Sequence, residues 1–112
     1  MKYGNKKTKL GGVTFDSARE AARWSHLLLL QRAGRISELR RQVSYELAPS
    51  VKFEGSARAK PALRFIADFE YVEAGARIVE DVKSEPTAKK EAFVIKRHLL
   101  KSVHGIDIRI VT

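Results

Sequence analysis

A chain of 112 residues has room for one modest core and none for a second domain, and its 44% apolar content is that of a globular protein, not a disordered tail. Lys and Arg number 22 against 13 Asp and Glu, and the resulting charge of +9 points to a polyanionic partner, nucleic acid first, because neutralised phosphates release their counterions. The lack of Cys excludes a disulfide framework and a thiolate zinc site, and the longest apolar run, residues 27–30, is too short to cross a bilayer, so a soluble cytoplasmic protein without membrane contact is expected.

Residues 1–12 carry Lys2, Lys6, Lys7 and Lys9 with little apolar content, which predicts a mobile basic arm ahead of a single domain over residues 13–112. Asp16 or Ser17 then caps a helix that holds Trp24 and the leucine run and stops at Gly34. Over residues 38–47, Val43 and Tyr45 alternate with Ser44 and Glu46, the pattern of a strand that ends by Pro49, and a basic loop with Lys52, Arg58 and Lys60 follows. Pro61 opens a second alternating stretch, with Leu63, Phe65, Ala67, Phe69 and Tyr71 on one face and Arg64, Ile66, Asp68 and Glu70 on the other. Residues 73–76 suit a tight turn, residues 77–83 the returning strand, and Ser84, Glu85 and Pro86 break it. Residues 87–104 form a second predicted helix, apolar along Ala92, Ile95, Leu99 and Val103, before Ile106, Ile108 and Ile110 alternate in a short last strand. The expected class is α/β (α+β) in the order α-β-β-β-α-β, a mixed sheet flanked by helices, with the last strand parallel to a neighbour because a helical crossover precedes it.

The hairpin carries the chemistry. A turn centred between Ala74 and Gly75 aligns Asp68 with Asp81, and strand periodicity puts Lys83 on the same face and Glu80 on the other; an odd-length turn would instead align Asp68 with Glu80. Two opposed carboxylates repel each other, so such a pair suggests a bound cation. Mg²⁺ suits it, since one or two carboxylates and a substrate phosphate suffice to hold that ion, and a nearby lysine can orient the attacking water.

Asp68, followed by Asp81-Val82-Lys83 on the next strand and then a helix, resembles the PD-(D/E)XK nuclease motif, although Ala67 stands in the Pro position and Asp81 where Glu is more frequent. The element order is similar to the core of restriction endonucleases, archaeal Holliday-junction resolvases, phage endonuclease I and the Tn7-type end-cleaving nuclease. Thr14-Phe15-Asp16-Ser17, Glu20-Ala21, Ile66-Ala67-Asp68-Phe69, residues 79–83, Thr87 and Lys96-Arg97 further resemble a family of short phage and prophage proteins of unassigned function. The resemblance implies a restriction-endonuclease-like core and a Mg²⁺-dependent endonuclease, with Mn²⁺ as substitute, in the cytoplasm of a bacterial host. By the same resemblance Asp68, Asp81 and Glu20 are metal ligands, Lys83 is the catalytic lysine, and branched or junction DNA, cut by a homodimer, is the substrate. Lys6, Lys7, Lys9, Arg58, Lys60, Lys89, Lys90, Lys96 and Arg97 are the expected DNA contacts.

Each residue also has a plain structural use. Ser17 and Glu20 have the spacing of a capping box, Lys83 that of an edge-strand gatekeeper, and the lysines of the second helix that of a solvated face. Gln42 can offer its amide to the site or lie in solvent, and His26, His98 and His104 lack metal-ligand spacing. A nucleic-acid-binding module without catalysis, or a nuclease acting on RNA, fits the same charge.

Overall fold

In the computed structural model the described residues are 7–84, 86 and 89–112; the expectations for Lys2, Lys6, Glu85 and Thr87 fall outside them. Gly11 and Gly12, with φ of 57° and 81°, fold Thr8–Leu10 (β1) back onto Val13–Phe15 (β2) as an antiparallel pair. This corrects the expected arm over residues 8–12, because two glycines supply the left-handed positions of a tight hairpin turn without a Cβ clash. Ser17 then caps Ala18–Arg32 (α1), its Oγ accepting the Glu20 N–H at 3.1 Å, and Gly34 follows the helix end at φ 78°.

The main sheet consists of Ser37–Ala48 (β3), Leu63–Glu73 (β4), Ala76–Val82 (β5) and Ile108–Val111 (β6), in that spatial order. The first three strands are antiparallel neighbours. Glu91–His104 (α2) makes the crossover, and β6 lies parallel to β5, as a helical connection requires. The fold is therefore the mixed α/β architecture that the sequence suggests, with a small second sheet added. Helix α2 starts at Glu91, after the expected position, and turns a different stripe inward. Phe93 and Leu100 are buried while Ile95 and Val103 are half exposed, because the Phe93 ring fills the space beside Phe65 at 6.1 Å between centroids.

Side-chain alternation breaks in the middle of β3 and β4. Leu39, Phe69 and Tyr71 pack with Trp24 and Leu27 of α1, whereas Val43, Tyr45, Phe65 and Ala67 pack with Phe93 and Leu100 of α2. On β5, Ile78 and Val82 belong to the first group and Val79 to the second, so the two groups occupy opposite faces of the sheet. Ala67 and Phe69 would share a face in an unbroken strand. They do not, because the ladder passes from Arg41–Phe69 to Val43–Ala67 without pairing Gln42 and Asp68, and Gln42 has a φ of 53°. The expected single apolar face of β4 is thus split between two cores, and Leu63 at its start is 54% exposed.

Ala74 and Gly75, at φ 52° and 79°, form the β4–β5 turn, and the alanine bears the steric cost of a left-handed residue. Replacing Ala74 with Asn, the residue this turn prefers, is expected to raise the unfolding free energy by roughly 0.5–1 kcal/mol in urea titrations. An unchanged or lower midpoint would show that the turn is unstrained.

Candidate functional site

The β4–β5 ladder ends at Phe69–Glu80, and in that register the next residues to face one another are Asp68 and Asp81. There the main chains part and side chains take over. The Asp68 N–H donates to Asp81 Oδ1 at 3.0 Å, and the Val82 N–H donates to Asp68 Oδ2 at 2.8 Å. Strand β5 keeps to its other neighbour, the Lys83 N–H donating to the Val111 carbonyl at 2.9 Å. The Lys83 ammonium turns to Asp81 Oδ2 at 2.7 Å and lies 5.3 Å from the centre of the Phe93 ring. The even turn therefore joins Asp68, Asp81 and Lys83.

Glu80 faces the other way, as its parity requires. It is fully buried on the α1 side, where Arg23 Nε donates to Oε1 at 2.9 Å, Arg23 Nη2 to Oε2 at 2.5 Å, and the Tyr71 hydroxyl to the same Oε2. The Arg109 Nη1 donates to Tyr71 Oη at 3.2 Å, and burial with the Glu80 contact pushes the Tyr71 hydroxyl up to about 12. This clamp fixes β5 one residue before Asp81.

The acidic end of α1 completes the neighbourhood. Glu20 is 4% exposed, and its Oε2 accepts from Gln42 Nε2 at 3.2 Å, so the Ser17 half of the capping box forms while the Glu20 carboxylate turns to the strand. Burial, then the charge of Asp16, raises the Glu20 pKa, with Asp81 adding and Arg41 and Lys83 opposing. Asp68 is pushed up to about 7, by burial first and then by the charges of Asp81 and Glu20, against the Val82 N–H and Lys83.

Can these residues hold a cation? Asp81 Oδ2 is buried and accepts no hydrogen bond of good geometry; its contact with Lys83 is a bare ion pair. Among the described residues no three Asp, Glu, His or Cys side chains converge tightly enough to ring one ion. What remains is a two-carboxylate site, Asp68 with Asp81, which fits a hard cation that draws its other ligands from water and phosphate. Glu20 acts on that pair through charge and is itself engaged by Gln42.

The basic residues are spread over several elements. Lys7 pairs with Asp16 at 3.2 Å; Lys9 lies on β1, and Arg58 and Lys60 on the exposed β3–β4 loop. Lys89 and Lys90 precede α2, whose exposed surface carries Lys96 and Arg97, while Lys101 pairs with Asp107 at 2.6 Å. His26 and His98 are exposed, and His104 Nε2 sits 2.7 Å from the Glu46 carbonyl oxygen. Sequence reasoning missed the Arg23–Glu80–Tyr71 clamp, which joins residues up to 57 positions apart. It also missed Arg41, whose signal was a charge amid the apolar odd-numbered positions Leu39, Val43, Tyr45 and Leu47.

A family model described as Protein of unknown function (DUF1064) matches residues 1–109, and the chain belongs to that family. No curated protein and no solved structure matches the chain.

Folding raises the Asp68 pKa from 3.8 to about 7, so between those values the folded protein holds a proton that the unfolded chain releases. The stability this group contributes is full below the lower value and is lost as pH rises through the upper one. Asp68→Asn keeps an acceptor for the Val82 N–H and is expected to be more stable than the parent at pH about 8, an advantage that vanishes towards pH about 4 in urea unfolding. An advantage constant with pH would contradict the buried charge. On the other face, Glu80→Ala is expected to cost about 3 kcal/mol by stranding Arg23 and Tyr71. Glu46→Ala, at an exposed 3.6 Å pair with Arg64, should cost under about 1 kcal/mol in the same assay.

Proposed function

We propose that this member of the DUF1064 family is a Mg²⁺-dependent endonuclease of the PD-(D/E)XK type that hydrolyses the phosphodiester backbone of DNA, with Asp68 and Asp81 as metal ligands and Lys83 as the catalytic lysine. One observation carries the reading: where β4 and β5 part, two aspartates exchange hydrogen bonds with the opposite main chain, and a lysine ammonium stands 2.7 Å from one of them. A structural salt bridge explains Lys83 and Asp81 but not the second carboxylate, whose burial beside the first raises its pKa.

Bound Mg²⁺ would polarise the scissile phosphate and acidify a water. The chain's own residues do the rest. Asp68 and Asp81 present oxygens at a fixed separation, because each is tied to the other strand's backbone. Lys83, held over Phe93, orients the attacking water and offsets the charge that builds on the phosphorane. Glu20, oriented by Gln42, adds negative charge beside the cation position. The charge of +9 and the exposed Lys9, Arg58, Lys60, Lys96 and Arg97 favour a polyanionic substrate. By analogy with small resolvases the substrate is branched or junction DNA, cut by a two-fold homodimer that presents two sites to two strands.

A second reading has an observation of its own. Lys83 already neutralises Asp81, and Asp68 stays protonated up to about pH 7, so the pair can persist without metal in a protein that only binds nucleic acid. Incubation of four-way, flap and linear DNA, with an RNA control, in Mg²⁺, Mn²⁺ and EDTA decides between them. The nuclease is expected to cut in either metal and not in EDTA, and Asp68→Asn and Lys83→Met to lose at least about 100-fold in rate while still binding DNA. Binding without metal-dependent cutting of any substrate removes the enzyme and leaves the module. Because Asp68 must lose its proton to ligate, Mn²⁺ affinity is also expected to rise with pH up to about 7, with proton release on binding measured in calorimetry buffers of different ionisation heat.

A further inference from the structure

We propose that Arg41 is a phosphate-binding residue of this site, which takes the backbone phosphate next to the scissile one on its guanidinium fork. The identity of that phosphate rests on the nuclease reading above; the way Arg41 is held does not.

The break in β3 is what aims this side chain. In a regular strand Arg41 would share the α2 face with Val43, but the left-handed Gln42 between them puts Arg41 on the α1 face, paired across the sheet with Phe69. Irregular strand residues recur beside functional sites because they redirect a neighbour in this way. There the guanidinium carbon lies 4.6 Å above the centre of the Phe15 ring, which is wholly buried, and 6.0 Å from that of Trp24.

Stacking holds the guanidinium plane, yet no group among the described residues uses its donors. The sheet's other arginines, Arg40, Arg64, Arg77 and Arg109, each pair with a glutamate. Arg41 forms no ion pair among the described residues, and its Nε is buried with no hydrogen-bond partner. A structural arginine in a protein with 13 acidic residues would be expected to find one of them. A planar, weakly hydrated, stacked guanidinium with unspent donors is what bidentate phosphate binding asks for.

Its surroundings supply the need. Lys83 is committed to Asp81, so the fork itself has no unpaired side-chain cation left for a phosphate beside the scissile one. Arg41 supplies that cation from the α1 side of the fork: it pairs across the ladder with Phe69, the neighbour of Asp68, and is one strand position from Gln42, which holds Glu20.

The test is fluorescence-anisotropy binding of a labelled DNA duplex to the full chain in EDTA over a series of salt concentrations, which separates binding from cutting. Arg41→Met keeps an apolar stem against Phe15 and drops the charge. It is expected to weaken binding about 10-fold and to lower the salt dependence by about one phosphate contact. Arg41→Lys keeps the charge and loses the fork; it should retain the parent's salt dependence with affinity lowered about threefold or more. Melting temperatures identify any variant that fails to fold, and in that case the lysine variant decides alone. Parent-like affinity and salt slope in Arg41→Met, or full parent affinity in Arg41→Lys, would overturn the assignment and leave Arg41 as packing. Parent protein that binds the duplex but cuts nothing in Mg²⁺ would overturn the nuclease reading while leaving this measurement intact.

Discussion

Two aspartates exchanging hydrogen bonds across the fork between β4 and β5 is the contact on which the arrangement depends. Beyond Phe69 and Glu80 the ladder stops, and the amides of Asp68 and Val82 would be left without partners if Asp81 and Asp68 did not accept from them. Stranded buried amides cost on the order of 1–3 kcal/mol each, so the carboxylates are held by the same force that closes a sheet. Their separation follows from main-chain geometry, not from flexible side chains. Burial, and then the like charges brought together in this way, raise the affinity of Asp68 for a proton.

The neighbouring strand yields to make that fork. Gln42 stands opposite Asp68 in the β3–β4 register, and its left-handed backbone releases Asp68 from pairing on that side as well. One residue in each strand thus leaves the ladder, and the sheet exchanges its faces at that point: α1 packs on one side beyond it and α2 on the other side before it. The site lies where the two cores meet and belongs to neither. Three acids, a lysine and an arginine are thus wholly or partly shielded from water between the two cores.

Below the fork the sheet is held by charge as well as by packing. Glu80 on the α1 face and Glu70 on the α2 face are both buried, the first by Arg23 and Tyr71 and the second by Arg40 and Tyr45. They stand on adjacent rungs of the β4–β5 ladder, one on each strand, and are clamped from opposite faces. Such pairs add little net stability over apolar packing, but breaking one leaves a charge with no solvent, so they fix the register that puts Asp68 opposite Asp81.

The sequence by itself determined the order of the elements from the first helix onward and narrowed the β4–β5 turn to two parities, of which the structure has the even one that joins Asp68, Asp81 and Lys83. These are local matters: capping chemistry, period-two alternation and an Ala-Gly turn act over a few residues, and each leaves its mark in the string. The glycine pair that makes the first hairpin was equally local and was misassigned to a free arm, because a short basic ribbon and a short basic tail have the same composition. Only the tertiary structure decided the rest. Whether alternation survives at Gln42 and Asp68, which stripe of α2 turns inward, and which arginines find a glutamate all depend on surfaces brought together from distant positions. Phe93 displaces Ile95 because Phe65 is there to receive it, and Arg41 changes face because a residue beside it takes a positive φ. No short window of sequence contains both Phe65 and Phe93, or both Arg41 and the Phe15 ring on which it stacks.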